Sequence, residues 1–214
     1  MKLNEKFVIT VSREVGSGGH TVGKKLAEKL GVRFCDKNVI RQLMEQFGLS
    51  VYEIESIKSR KKSWIADLFD SIAPVSRSEA FLTSIPHSEA LRISAKEIVE
   101  AEEEILKALV KESSCVIAGR AGFALLEGTP NKFDVFIRAS GQSRIDRVVR
   151  KQDLTPEQAK VLIDSIDESR ENYVKRICGR SRYDSRNYDL VLNMDHIASE
   201  DAAVDIILSC LSSD

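Results

Sequence analysis

Phe7-Val8-Ile9-Thr10-Val11-Ser12-Arg13-Glu14-Val15-Gly16-Ser17-Gly18-Gly19-His20-Thr21 is the stretch on which the fold turns. Its first five residues form a β-branched apolar run, the signature of a buried strand. Three glycines follow within four positions, Gly16, Gly18 and Gly19. Val22, Leu26 and Leu30 then recur as one apolar helical stripe, and Gly31 stands at the expected C-cap. The order is strand, glycine loop, helix. Glycines lack the Cβ that would obstruct converging backbone N–H groups, and the helix start adds positive dipole, so this loop suits a phosphate. A tight β–α turn alone needs one such glycine, not three.

The pattern continues outward from that unit. Val32-Arg33-Phe34-Cys35 reads as a second strand, and Val39, Ile40, Leu43, Met44 and Phe47 mark a second helix ended by Gly48. Residues 50–93 differ in texture, with helical fragments and no strand (Trp64, Ile65, Leu68, Phe69 and Ile72 on one face, stopped at Pro74). This segment reads as a helical insertion standing beside the sheet. Ser94-x-x-Glu97 opens a long helix to about Lys111 with Ile98, Ala101, Ile105 and Leu109 on one face. Cys115–Ala118 and Phe133–Ile137 are strand-like, a helix follows the second, and Thr155-Pro156-Glu157 starts another running to about Ile177. Asp189–Asn193 is the fifth strand, and Ser199 caps a last helix. Five short apolar strands alternating with helices predict an α/β fold, a five-stranded parallel sheet with helices on both faces. Ligands of such sheets bind at the C-terminal ends of the strands.

Composition narrows the function classes. Of 214 residues, 32 Lys and Arg oppose 33 Asp and Glu, and the balance of -1 disfavours an electrostatic nucleic-acid binder. Apolar runs are only a few residues long, far short of the ~20 that cross a bilayer. Cys35, Cys115, Cys178 and Cys210 are scattered with no Cys-x-x-Cys pair, which points away from disulfide, zinc or redox scaffolds and towards a reducing cytoplasm. His87 and His196 have no metal-ligand spacing partner, and Lys58-Ser59-Arg60-Lys61-Lys62 reads as a solvated surface. Trp64, Phe69 and Phe81 leave a homo-oligomer interface open.

A literal phosphate-loop pattern, Gly18-x4-Gly23-Lys24, fails because Lys25 fills the hydroxyl position and Gly23 already lies in the helix. The register that fits ends the loop at Gly18, which puts Gly19 at the lysine position and Arg13 at the first-glycine position. Thr21 is left as the magnesium-side hydroxyl. With Leu26-Ala27 and Phe34-Cys35-Asp36-Lys37 behind it, the string Ser12–Gly19 resembles the cytidylate kinase-like family of bacterial P-loop proteins. More distantly, Gly16-Ser17-Gly18-Gly19-His20-Thr21 is similar to the Gly-Ser-Gly-Lys-Gly-Thr of cytidylate kinase. Ala118-Gly119-Arg120 falls where cytidylate kinases have Asp-Gly-Arg-Asp, Asp167-x-x-Arg170-x-x-Tyr173 falls in the lid region, and Tyr188–Asn193 resembles the family's final strand.

That resemblance implies a nucleoside monophosphate kinase fold over 1–214, with a core of 1–49, 94–153 and 184–214, a helical acceptor-binding insertion at 50–93 and a lid at 154–183. It implies ATP and Mg2+ as donor complex, held by Gly16, Ser17, Gly18, Gly19, His20 and Thr21, with Thr21 on the metal. Asp36, Arg41, Arg120, Arg144 and Arg147 would face the acceptor, most naturally a nucleoside monophosphate such as CMP. Transfer needs alignment and positive charge around moving oxygens, so Arg13, Arg120, Arg170 and Arg176 are the candidate catalytic cations. Between Arg170 and Arg182 five basic residues meet one acid, Glu171, a local charge of +4 (5 − 1) in a near-neutral chain. Two features depart from the family pattern. Gly19 removes the lysine that bridges the donor's terminal phosphates, and Ala118 and Ala121 replace the flanking acids. Arg13 is the candidate substitute cation; the competing reading is a nucleotide-binding regulator that has lost catalysis.

Overall fold

The computed structural model describes residues 1–38 and 95–211. The helix expected over 39–47, Arg41 and the 50–93 insertion lie outside the described residues. The described strands are β1 (Val8–Arg13), β2 (Arg33–Cys35), β3 (Cys115–Ala118), β4 (Lys132–Arg138) and β5 (Leu190–Asn193). The helices are α1 (Gly19–Leu30), α2 (Ala95–Glu112), α3 (Gly122–Leu125), α4 (Gly141–Gln152), α5 (Pro156–Cys178) and α6 (Glu200–Leu211). All strands are parallel, in the order β2-β3-β1-β4-β5. The chain leaves β1 towards β2 on one side and later passes to β4 on the other. That reversal makes the crevice at the C-terminal end of β1 the topological switch point.

Period-two alternation divides the core between the two faces of the sheet. Ile9 and Val11 meet Val22 and Leu26 of α1, and Val204, Ile207 and Leu211 of α6. Val8, Cys115 and Ile117 face the other way, onto Leu106 and Leu109 of α2 and Phe123 of α3. Val148 of α4 packs on Ala159, Leu162 and Ile163 of α5 in a smaller cluster beside the sheet. Outside, Lys25 and Lys29 of α1 reach Asp201 and Asp205 of α6 at 2.6 and 2.5 Å. No described helix is long and apolar enough to cross a membrane.

The helix starts follow local chemistry. Thr155 caps α5 in a full capping box: its hydroxyl accepts from Gln158 N–H while the Gln158 side chain accepts from Thr155 N–H. Pro156 takes the first turn, where its missing N–H costs nothing. Gly31 ends α1 in the left-handed conformation, as its place in the sequence predicts. The observed β1 is longer than the apolar run: Ser12 and Arg13 stay in register with Phe136 and Ile137 of β4. Arg13 is therefore held by the sheet as well as by the loop. Leu26→Ala should cost about 2–5 kcal/mol of unfolding free energy by denaturant melt. The exposed cap change Thr155→Ala should cost only about 1 kcal/mol.

Candidate functional site

The glycine loop joins β1 to α1 at the switch point. Gly16 and Gly18 have φ of 79° and 85°, a left-handed backbone that side chains with a Cβ seldom adopt. Space forbids a Cβ as well, since at Gly16 it would lie 2.6 Å from the Arg144 carbonyl oxygen. At Gly18 it would lie 3.1 Å from the Arg147 guanidinium. Ser17 ties the loop internally, its hydroxyl donating to Glu14 O at 2.9 Å. α1 has no side-chain cap, and the His20 and Thr21 amides at its start have no partner among the described residues. Unpaired amides at a helix start, with their dipole, form an anion cradle. Thr21 is half-buried in that first turn.

The buried Asp167 of α5 organises the ground beside the loop. Its carboxylate accepts from Val15 N–H at 3.2 Å and from Arg144 at 2.6 Å. It also accepts from Arg182 at 3.1 Å and more loosely from Arg170 at 3.5 Å. Arg170 further donates to the Arg13 carbonyl at 3.2 Å, and Arg182 donates to the same oxygen. Glu14 accepts from Ala139 N–H at 3.1 Å and lies 3.7 Å from Arg144, so both ends of the loop are tethered. Burial pushes the Arg170 guanidinium down to about 10, with the neighbouring Arg182 adding to the effect.

A second arrangement sits at the C-terminal end of β3. Gly119, Arg120 and Ala121 have φ of 80°, 57° and 52° in succession, a costly turn for the latter two residues. The turn aims Arg120 at the buried Glu102 of α2, with which it forms an ion pair, and its guanidinium lies 5.4 Å over the Tyr173 ring. Tyr173 of α5 donates its hydroxyl to the same Glu102. Burial lowers the Arg120 pKa and raises that of Tyr173. Across the crevice, His20 Nε2 and Asp36 are 3.1 Å apart, and the His20 ring meets Phe34 edge-on at 5.3 Å.

The structure thus brings Gly16–Thr21, Arg13, Asp36, Arg120 and Arg170 to one end of the sheet. Arg144 and Arg147 lie there too, but each is already paired, Arg144 with Asp167 and Arg147 with Glu200 at 2.5 Å. Arg176 is exposed, well along α5 from the loop-proximal Arg170. The surplus of +4 between Arg170 and Arg182 is partly cancelled. Lys175 pairs with Glu171 at 3.1 Å, Arg180 with Glu127 at 3.0 Å, and Arg182 with Asp167. Sequence reasoning missed Glu102, Glu14 and the role of Asp167. Glu102 does carry a signal: it lies on the apolar stripe of α2, three residues before Ile105 and seven before Leu109.

A profile of the cytidylate kinase-like family matches residues 8–196. The chain belongs to that family. It is 26% identical over 191 residues to a cytidylate kinase of Pyrococcus horikoshii, covering 88% of this chain and 80% of the relative. Its fold is similar to the crystal structure of an uncharacterized protein from Eubacterium ventriosum, with TM-score 0.69, 21% identity, and 97% and 99% of the two chains covered. A shikimate kinase from Bacteroides thetaiotaomicron shares the fold at TM-score 0.54 and 15% identity, again over 97% and 99%. The family is thus a kinase-like one, and the fold is one shared with a shikimate kinase.

The residues present fit a nucleotide phosphate chain, because the cradle offers unpaired amides, no obstructing Cβ and flanking guanidiniums. Among the described residues no three His, Cys, Asp or Glu side chains group as a metal site. Magnesium keeps several waters and binds chiefly through substrate phosphates, and Thr21 offers a hydroxyl in the first turn of α1. Asp167→Ala would leave Val15 N–H and three guanidiniums without their common acceptor. Removing one partner of a buried ion pair costs about 3–5 kcal/mol. We expect a lowered melting temperature and faster amide hydrogen exchange at Val15; unchanged exchange there would show that the carboxylate does not hold the loop.

Proposed function

We propose that this protein transfers a phosphoryl group from ATP to a small acceptor, a nucleoside monophosphate such as CMP. The observation that carries the reading is the convergence of the glycine cradle with Arg13, Arg120 and Arg170 at one switch-point crevice. Such a reaction needs little covalent chemistry from the protein, only in-line positioning and charge around the oxygens. In this reading Gly16–Thr21 hold the donor phosphates through backbone N–H groups, and Gly16 and Gly18 keep the backbone close to them. Magnesium, when bound with the donor, neutralises charge on the phosphate oxygens. Arg120, fixed by Glu102, faces the acceptor phosphate, and Asp36, with His20, faces the acceptor's polar groups. Arg170 and Arg182 bring positive charge from the lid side, and Asp167 keeps their forks turned towards the loop. Arg144 and Arg147 shape the donor cradle and its flank, and Arg176 is an exposed lid cation. The acceptor assignment is carried over from the cytidylate kinase relative, and the cytoplasm is the compartment that suits it.

One feature favours a second reading. Gly19 has no side chain where such kinases place a lysine, which is what a nucleotide-binding regulator without turnover would show. Incubation of the purified protein with Mg-ATP and a panel of CMP, UMP, AMP and GMP, following ADP, separates the two. Acceptor-dependent ADP, fastest with CMP, is the expected result. Saturable ATP binding with no ADP from any acceptor would favour the regulator.

A further inference from the structure

Arg13 and Gly19 occupy the two phosphate-loop positions that ordinarily hold glycine and lysine, in that order. Here the side-chain-bearing residue and the glycine have changed places. The structure shows that the exchange is coupled, because the positions touch. A Cβ built on Gly19 would stand 2.5 Å from Arg13 Cβ, 3.1 Å from its Cγ and 3.2 Å from Ile137 Cβ. No residue but glycine fits at 19 while 13 carries a side chain. The far end of Arg13 makes a similar demand, since a Cβ on Gly119 would collide with its Nη1. The arginine therefore runs from the start of α1 to the turn after β3, across the crevice between loop and Arg120.

Its electrostatic surroundings are unbalanced. Arg13 Nε is buried without a hydrogen-bond partner, and the guanidinium makes no ion pair among the described residues. Among the described residues Arg170, Arg182 and Arg120 act against its charge, and Asp36 supports it. Asp167 is taken up by Arg144, Arg170 and Arg182, and Glu102 by Arg120. Burial first, then Arg170 and Arg182, pushes the Arg13 guanidinium down to about 9, so it stays charged at neutral pH. A buried cation among cations, beside a cradle of free amides, suits an anionic ligand.

Resting on the nucleotide reading above, we propose that Arg13 replaces the loop lysine as the cation for the donor's terminal phosphates, with Gly19 and Gly119 kept small to house it. A guanidinium fork gives two donors in one plane, so it spans oxygens of two phosphates or grips one bidentately. Lysine at 13 would keep the charge and lose the fork.

Calorimetric titration of Mg-ATP and AMP into the wild type and four variants tests this. Arg13→Ala should weaken Mg-ATP about tenfold to a hundredfold, the range of one charge-assisted contact, and leave AMP within about twofold. Arg13→Lys should recover only part of the loss. Gly19→Lys alone should lower the melting temperature and abolish tight ATP binding, because its Cβ meets Arg13. Arg13→Gly with Gly19→Lys, which restores the usual order, should recover both the melting temperature and most of the ATP affinity. Wild-type ATP affinity in Arg13→Ala would overturn the proposal, as would an equal loss for AMP or a harmless Gly19→Lys. Failure of the wild type to bind Mg-ATP at all would sink the nucleotide reading itself, and this inference with it.

Discussion

The buried Asp167 is the interaction on which the arrangement of the site depends. It lies in α5, 152 residues from the Val15 N–H that it accepts, and thereby joins the last third of the chain to its first turn. Two oxygen atoms serve one amide and three guanidiniums, so the arginines cannot point elsewhere without leaving a charge unpaired in a poorly solvated place. Arg170 and Arg182 then cap the Arg13 carbonyl, and Glu14 holds Ala139. The glycine loop is consequently suspended between β1, α4 and α5. Its left-handed glycines supply the shape; the carboxylates supply the tension that keeps it.

Charge in this crevice is arranged in two classes. Arg120 and Arg147 are each paired with a carboxylate, and Arg144 shares Asp167, so an incoming phosphate must compete for them or share them. Arg13 has none among the described residues. Paired arginines are oriented and discharged in advance, which lowers the entropy lost on binding but also lowers the attraction. The unpaired one does the opposite. A site that mixes the two is positioned by its pairs and attractive through its surplus.

Much of the fold is legible in the residues because its elements announce their period. Phe7–Val11, Cys115–Ala118 and Phe133–Ile137 are short β-branched runs, and Thr155-Pro156 is an unambiguous helix start. The end of β1 is not legible, because Ser12 and Arg13 are polar and their strand character comes only from pairing with β4. α3 is a single turn, Gly122–Leu125, too short for any periodicity to register. In the site, the glycines declare themselves by type and spacing, whereas the carboxylates do not. Glu102 sits in the acidic run Glu102-Glu103-Glu104, and only its helical phase turns it inward. The hub at Asp167 depends on partners at 15, 144, 170 and 182, a convergence visible only after folding.

The contact between Arg13 and Gly19 also constrains how such a loop changes over generations. Two residues that exclude one another's side chains cannot be exchanged one at a time without an intermediate that either clashes or lacks a cation. A lineage carrying arginine at the strand end and glycine at the helix start is thus separated from the lysine arrangement by a double step. Pattern searches built on the lysine form pass over chains of this kind, although the cradle itself is intact.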